Sequence, residues 1–197
     1  QTHINPPQNP KQQCLGIPTF DTESLVMDPE SMKEVATGVQ GEIVVRGPQL
    51  LTGYWKNDRS YRESWVNIRG KDYFRTGDLG RTDEDGYFFI SDRLKRMINA
   101  AGFKVWPAEV EVAMYKHPAI KECCIIASPD ERRGETVKAV VVLKEDFSGK
   151  VTGEEILSWS RSQMAAYKVH RRIEFMDALP RTGSGKRALK LRVPRGP

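Results

Sequence analysis

The stretch that decides the fold is DYFRTGDLGRTDEDGYFFISDRLKRMINAAGFKVWP, residues 72–107. Its first part carries aromatic and branched residues on both sides of an Asp-Gly dipeptide at 85–86, which is typical of a tight hairpin turn and predicts strand, turn and strand. After Asp92 the pattern changes. Short strands are predicted around Gly102, and Pro107 suits the first position of a helix, where its missing N–H costs nothing. The stretch therefore joins a β-rich segment to one of mixed character.

The flanking sequence extends both halves. On the N-terminal side, GEIVVRG at 41–47 is a β-branched run between glycines and predicts a buried strand. On the C-terminal side, ECCIIAS, TVKAVVVLK and RRIEFMD predict further strands, and Thr152-Gly-Glu-Glu155 is a capping box that starts a helix running to about Met164. We therefore predict an α+β protein, with a mostly-β part over residues 1–92 and a small α+β domain over 93–197, a short sheet with flanking helices.

Composition and charge narrow the function. There is no run of about 18 apolar residues, so no membrane span is expected. The three cysteines, Cys14, Cys123 and Cys124, form no C-x-x-C pair, which argues against a zinc site or a disulfide framework. We therefore expect no bound metal in this chain, and we expect the protein to lie in the reducing cytoplasm. Residues 161–197 hold ten Lys/Arg and two Asp/Glu, a net charge of +8, whereas the rest carries −3. This basic end predicts an anionic partner, but no nucleic-acid-binding motif accompanies it, so nucleic acid is not expected.

One basic segment, LPRTGSGKRALK at 179–190, resembles a phosphate-binding loop in its glycines and positive charge. It is not a P-loop, because Pro180 stands where the first glycine belongs and Arg187 replaces the hydroxyl residue that would reach magnesium. Two interpretations of the segment stay open on the residues alone: a flexible basic tail, or a glycine-flanked loop whose Lys186 meets a phosphate by another geometry.

The order of several motifs carries a family resemblance. GEIVVRGPQLLTGYW is followed by YFRTGDLGRTDEDGYFFISDRLKRMINAAGFKVWPAEVE and then by YKVHRRIEFMDALPRTGSGKRALK. Together they resemble the C-terminal part of the adenylate-forming superfamily, which includes acyl-CoA synthetases, peptide-synthetase adenylation domains and firefly luciferase. The Asp-Arg-Leu-Lys stretch and GFKVWPAEVE are most similar to fatty acyl-CoA ligases. The resemblance covers roughly residues 14–192.

The resemblance implies a reaction and roles for three residues. Family members join a carboxylate to ATP, release pyrophosphate, and pass the acyl group of the acyl-adenylate to a thiol, usually that of coenzyme A. Lys186 resembles the catalytic lysine, a point charge that offsets repulsion between the carboxylate and the α-phosphate. Asp78 resembles the aspartate that accepts from the ribose hydroxyls, and Arg93 the arginine that reaches ribose or phosphates. Outside the family context, Asp78 would simply cap a turn and Arg93 would form a surface ion pair.

Four further positions follow from the same resemblance. Lys95 lies where the family places a hinge, about which the C-terminal domain rotates between an adenylation pose and a thioester pose. Gly102 lies where a small residue would leave room for the pantetheine arm of coenzyme A. Asn99 and Lys104 match positions that carry polar groups near the adenylate in other members. On the residues alone, Lys95 is equally well explained as a solvated charge.

The family motifs that are absent shape the remaining expectations. The Ser/Thr/Gly-rich phosphate loop and the Thr-Glu motif whose glutamate helps to hold magnesium lie upstream in the family, and neither appears here. We therefore expect the last, mostly-β subdomain of a large AMP-binding domain, over residues 1–92, followed by the whole mobile C-terminal domain. The partners expected are carboxylic acid, ATP, coenzyme A and the missing N-terminal domain, which would hold Mg²⁺, and little activity is expected of the chain alone. The alternatives are a non-catalytic basic module for an anionic partner and part of a peptide-synthetase adenylation domain.

Overall fold

The computed structural model describes residues 1–181 and Gly183. The chain forms two compact units, Gln1–Lys95 and the part that begins at Arg96. Strands dominate the first unit and the second adds two helices to a sheet, which confirms the α+β fold class. Lys186 lies outside the described residues.

The first unit is built on one antiparallel sheet of five strands. Its elements are β1 (His3–Ile4), β2 (Ile17–Pro18), β3 (Glu23–Met27), β4 (Gly41–Arg46), α1 (Asp58–Glu63), β5 (Trp65–Ile68), β6 (Lys71–Thr82) and β7 (Phe88–Arg93). The sheet order is β3-β4-β6-β5, with β7 on the second half of β6, while β1 and β2 pair separately. The predicted hairpin is confirmed, with Gly86 in the left-handed region at φ +77°. β5 was not predicted.

Strand β4 is buried on both faces, which explains its continuous apolar run. Ile43 and Val45 pack with Phe88 on one side of the sheet. Val44, on the other side, packs with Met27 and Tyr73. The period of two along a strand sends neighbouring residues to opposite faces, so GEIVVR contributes to two apolar clusters at once.

The second unit also holds a five-stranded sheet. Its elements are β8 (Ile98–Ala100), β9 (Phe103–Val105), α2 (Pro107–Met114), β10 (Ile120–Asp130), β11 (Gly134–Leu143), α3 (Gly153–Gln163) and β12 (Arg172–Phe175). The order is β10-β11-β8-β9, and β12 pairs with β11 in parallel. Pro107 opens α2 and the Thr152 capping box opens α3, both as predicted. α2 ends at Met114.

The long hairpin of β10 and β11 forms the centre of this unit. Asp130 pairs with Gly134, so only three residues connect the two strands. Cys123 and Ile125 face the helices, packing against residues of α2 and α3, whereas Cys124 and Ile126 pack on the opposite face with Leu179. Cys14, Cys123 and Cys124 are thiols and form no disulfide. Within the described part of the chain, no helix is long and apolar enough to cross a bilayer.

His170, in the second unit, predicts a pH-dependent stability. It is 1% exposed, and neither ring nitrogen has a hydrogen-bond partner among the described residues. Burial lowers the pKa of His170 from 6.5 to about 4. Because the unfolded state binds a proton at higher pH than the folded state, this contribution to stability is complete above pH 6.5. It is lost as the pH falls towards 4, by up to about 3 kcal/mol.

The measurement is the unfolding free energy of this unit at pH 7 and pH 4, from the urea dependence of amide exchange in β10 and β11. His170→Phe should lose less stability than the wild type between the two pH values, because the ring that titrates is gone. Equal losses in both proteins would contradict the prediction.

Candidate functional site

Asp78 and Arg93 are brought together by the register of two neighbouring strands. Asp78 on β6 lies directly opposite Arg93 on β7. The Arg93 Nε lies 2.8 Å from the Asp78 Oδ1, and the two side chains are 70% and 23% exposed. The ion pair named as the alternative for Arg93 is therefore formed, and its partner is the other predicted nucleotide-binding residue. The pair remains open to solvent, so a ligand can reach both groups.

This arrangement suits a sugar that carries phosphates. A carboxylate accepts hydrogen bonds from two hydroxyls of a diol, and a guanidinium has five N–H donors, of which one ion pair leaves several available. Donors of this kind bind phosphate oxygens strongly because the hydrogen bonds are charge-assisted. The Asp78 carboxylate pairs with Arg93, in place of the turn cap named as its alternative role.

The backbone around Asp78 departs from a regular ladder. Glu42 of β4 faces Leu79, and Val44 faces Arg75, so three residues of β6, at 76–78, stand opposite Ile43 alone. Gly77 lies in the left-handed region at φ +69°, which favours glycine. The result is a bulge that carries Asp78. Bulges of this kind re-aim side chains at the edges of sites.

Lys95 occupies the last position of the first compact unit. It is exposed and lies in a single 3₁₀ turn, Leu94–Arg96. A junction between two compact units is where a hinge residue would absorb a change of backbone angles. The role of Lys95 as the hinge stays a prediction.

Gly102, Asn99 and Lys104 share one hairpin in the second unit. β8 and β9 place Asn99 opposite Lys104. The turn needs positive φ at Ala101 (55°) and Gly102 (85°), and the Asn99 side-chain oxygen accepts a hydrogen bond of 3.0 Å from the Gly102 N–H. A Cβ built on Gly102 meets no atom within 4 Å, so the space above it is open. Asn99 thus shapes the turn that exposes Gly102.

An aromatic pair formed by Phe103 of this hairpin and Tyr167 was not predicted. The rings of Phe103 and Tyr167 stack with centroids 5.1 Å apart and an interplanar angle of 23°. They line a cavity of about 660 Å³ together with Arg132, Arg133 and Arg171. A flat apolar surface flanked by guanidinium groups suits a ligand with a planar ring and negative charge. Of these three arginines, only Arg171 belongs to the basic C-terminal part that the sequence singled out.

The remaining site predictions concern the C-terminal segment and metals. Lys186, the predicted catalytic lysine, lies outside the described residues. The last part that the structure describes is held in place, since Leu179 is buried and Arg181 pairs with Glu122 at 3.0 Å. Across residues 1–181, no group of three or more potential ligands could hold a metal ion.

Two family models match the chain. The model described as "AMP-binding enzyme" matches residues 2–55, and the model described as "AMP-binding enzyme C-terminal domain" matches residues 109–186. The matches fall in the first and second compact units respectively.

Several known proteins are similar to most of this chain. A feruloyl-CoA synthase of Amycolatopsis is 42% identical over 87% of this chain, which corresponds to 33% of that protein. A long-chain-fatty-acid–CoA ligase of Bacillus subtilis is 40% identical over 89% of the chain and 30% of its own length. The crystal structure of ATP-bound MatB from Rhodopseudomonas palustris superposes with a TM-score of 0.80 at 32% identity, covering 93% of this chain and 35% of MatB. The chain thus spans about a third of the relatives that it matches.

Proposed function

Because this chain belongs to the family of AMP-binding enzymes, we propose that it is the C-terminal, nucleotide-handling part of an ATP-dependent acyl-CoA ligase. The enzyme would activate a carboxylic acid, in our proposal a fatty acid, as its acyl-adenylate and transfer the acyl group to coenzyme A. The Bacillus subtilis long-chain-fatty-acid–CoA ligase, 40% identical to this chain, supports that substrate class. ATP, coenzyme A and Mg²⁺ are the cofactors and substrates proposed for the intact enzyme.

The observation that carries the proposal is the solvent-accessible pair of Asp78 and Arg93 on adjacent strands. Asp78 would accept from the ribose hydroxyls of ATP and Arg93 would donate to the ribose or phosphates. In the first half-reaction a carboxylate oxygen of the acid attacks the α-phosphorus, a new P–O bond forms, and the bond to pyrophosphate breaks. Both reactants are anions, so a cation at the reacting phosphate lowers the barrier, and Lys186 is our candidate for it.

The second half-reaction, thioester formation, would use the β8–β9 hairpin of the second unit. The thiol sulfur of coenzyme A, having lost its proton, attacks the acyl carbon. The bond between the acyl carbon and the phosphate oxygen breaks, and AMP leaves with its electron pair. The open space at Gly102 supports its assignment to the pantetheine side. The stacked rings of Phe103 and Tyr167, with Arg132 and Arg133 beside them, are available to the nucleotide end of coenzyme A. Lys95 would be the hinge between the two poses.

The test is acid-dependent exchange of labelled pyrophosphate into ATP, run on the intact enzyme with straight-chain acids of rising length and with ferulic acid. We expect exchange that is strongest with fatty acids, and little exchange by residues 1–197 alone. Asp78→Ala should lower exchange by about 10-fold or more, because it removes a charged acceptor for two hydroxyls.

Asp72→Ala is the matched control. Asp72 lies on the same strand and is exposed, and its carboxylate accepts from Asn67 at 2.8 Å, away from the bulge. Its removal should leave exchange within about twofold of the wild type. Absence of exchange with every acid would remove the proposal, and strong, salt-sensitive binding of generic nucleic acid would then favour the basic-module alternative. A maximum with ferulic acid would correct the substrate class.

A further inference from the structure

The GEIVVR strand contains one charged residue that the fold of the sheet alone does not explain. Glu42 is 1% exposed, although every neighbour on β4 up to Val45 is apolar or glycine. A buried carboxylate is costly unless it is paired and hydrogen-bonded. The contacts of Glu42 therefore indicate what the residue is for.

The Glu42 carboxylate accepts hydrogen bonds from Gly77, within the bulge that carries Asp78, and from Arg75, directly beside it. Its Oε2 accepts from Arg75 twice, from Nε at 3.0 Å and from Nη2 at 2.6 Å. Its Oε1 accepts from the backbone N–H of Gly77 at 3.2 Å. The bulge takes that N–H out of the regular ladder, and the carboxylate supplies the acceptor that the neighbouring strand no longer provides.

Thr76 completes the support from the same side. Its hydroxyl donates to the carbonyl oxygen of Ile43 at 2.6 Å and accepts from the backbone N–H of Asp78 at 3.1 Å. Glu42 and Ile43 are consecutive residues of β4, so the bulge is fixed to one short, buried piece of strand. These hydrogen bonds hold the backbone at positions 76–78 in the bulged arrangement.

We infer that Glu42 is a positioning residue for nucleotide binding: its carboxylate holds the Arg75–Asp78 bulge so that Asp78 presents its own carboxylate to the ribose. The inference rests on the proposed function of Asp78. Glu42 itself is buried and its carboxylate is engaged by Arg75 and Gly77, so in this inference it acts on the nucleotide only through the bulge. Its loss should therefore act on recognition of the sugar through the position of Asp78.

The test compares ATP with 2′-deoxy-ATP and 3′-deoxy-ATP in the exchange assay on the intact enzyme, for the wild type and Glu42→Gln. A hydrogen bond to a charged acceptor corresponds to a preference of about 10-fold or more, so the wild type should favour ATP by that ratio in 1/KM. Glu42→Gln should reduce the ratio to about threefold or less, while kcat at saturating ATP changes less than the ratio does.

Glu23→Gln is the matched control. Glu23 lies in the same sheet and also accepts from several donors, including Tyr73 at 2.7 Å and Lys71 at 2.9 Å, but it does not contact the bulge. If Glu42 acted only through general stability, both variants would keep the wild-type preference for ATP. An unchanged ratio in Glu42→Gln would overturn the inference.

Amide hydrogen exchange separates this inference from the proposed function. Without any nucleotide, Glu42→Gln should speed exchange at Gly77 and Asp78 by at least about 10-fold, whereas Glu23→Gln should leave these two amides unchanged. Unchanged exchange at Gly77 in Glu42→Gln would overturn the positioning role even in an active enzyme. A wild-type protein that exchanges no pyrophosphate would instead overturn the proposed function, and the amides would still report whether Glu42 holds the bulge.

Discussion

Lys186→Ala in the intact enzyme should lower the rate of acyl-adenylate formation by about 10²–10³-fold, the effect typical of removing one group that stabilises developing charge. Thioester formation from preformed acyl-adenylate should change by less than about threefold, because the phosphate chemistry is already complete in that half-reaction. The two rates are measured separately, by single-turnover release of pyrophosphate and by transfer from synthetic acyl-adenylate to coenzyme A.

Lys190→Ala is the matched control for Lys186→Ala. It removes the same charge from the same basic segment four positions later. If the segment acts only as a basic tail that attracts anions, both variants should weaken both half-reactions to a similar, salt-dependent extent. Equal losses in adenylation and thioester formation for Lys186→Ala would count against its catalytic role.

Glu111→Ala should destabilise the second unit by about 3–5 kcal/mol, a large part of the stability of a domain of this size. Glu111 lies on α2 and is 6% exposed. Its Oε1 pairs with Arg96 Nη2 at 2.5 Å and accepts from the N–H of Ile125 at 3.0 Å. Truncation leaves a half-buried guanidinium and a buried amide without this acceptor. Urea dependence of amide exchange in β10 and β11 gives the change in free energy.

Glu122→Ala provides the comparison on the same unit. Glu122 also pairs with an arginine, Arg181, at 3.0 Å, but both side chains are accessible, at 29% and 53% exposure. An exposed pair of this kind contributes about 0–1 kcal/mol. Similar losses in the two variants would show that burial of Glu111 is not what makes its pair important.

The features that the sequence predicts correctly depend on neighbours in the chain. The Asp85-Gly86 hairpin, Pro107 at the start of α2 and the reciprocal capping box of Thr152 and Glu155 each need only a few consecutive residues. Their geometry is set by local backbone and side-chain hydrogen bonds, so short patterns are enough to find them.

The features that the sequence misses depend on contacts between distant segments. Phe103 and Tyr167 meet only because the fold brings the β8–β9 hairpin beside the segment after α3. The same holds for Glu42, whose partners lie more than thirty positions away. One signal was available: a lone glutamate in an apolar strand must find a buried partner. The pattern does not identify that partner, and the predicted site therefore contained Asp78 without its support.

The long hairpin of β10 and β11 has a consequence for how the second unit folds. Its strands pair from Asp130 and Gly134 outward, across a connection of only three residues, so the entropy of closing the loop is small. In contrast, β12 joins β11 from more than thirty positions along the chain. We expect the hairpin to form in the folding transition state and β12 to dock after it. We also expect β12, as the last element to dock, to be the first to open. Local unfolding of the unit would then begin at the strand that precedes Lys186 in the chain.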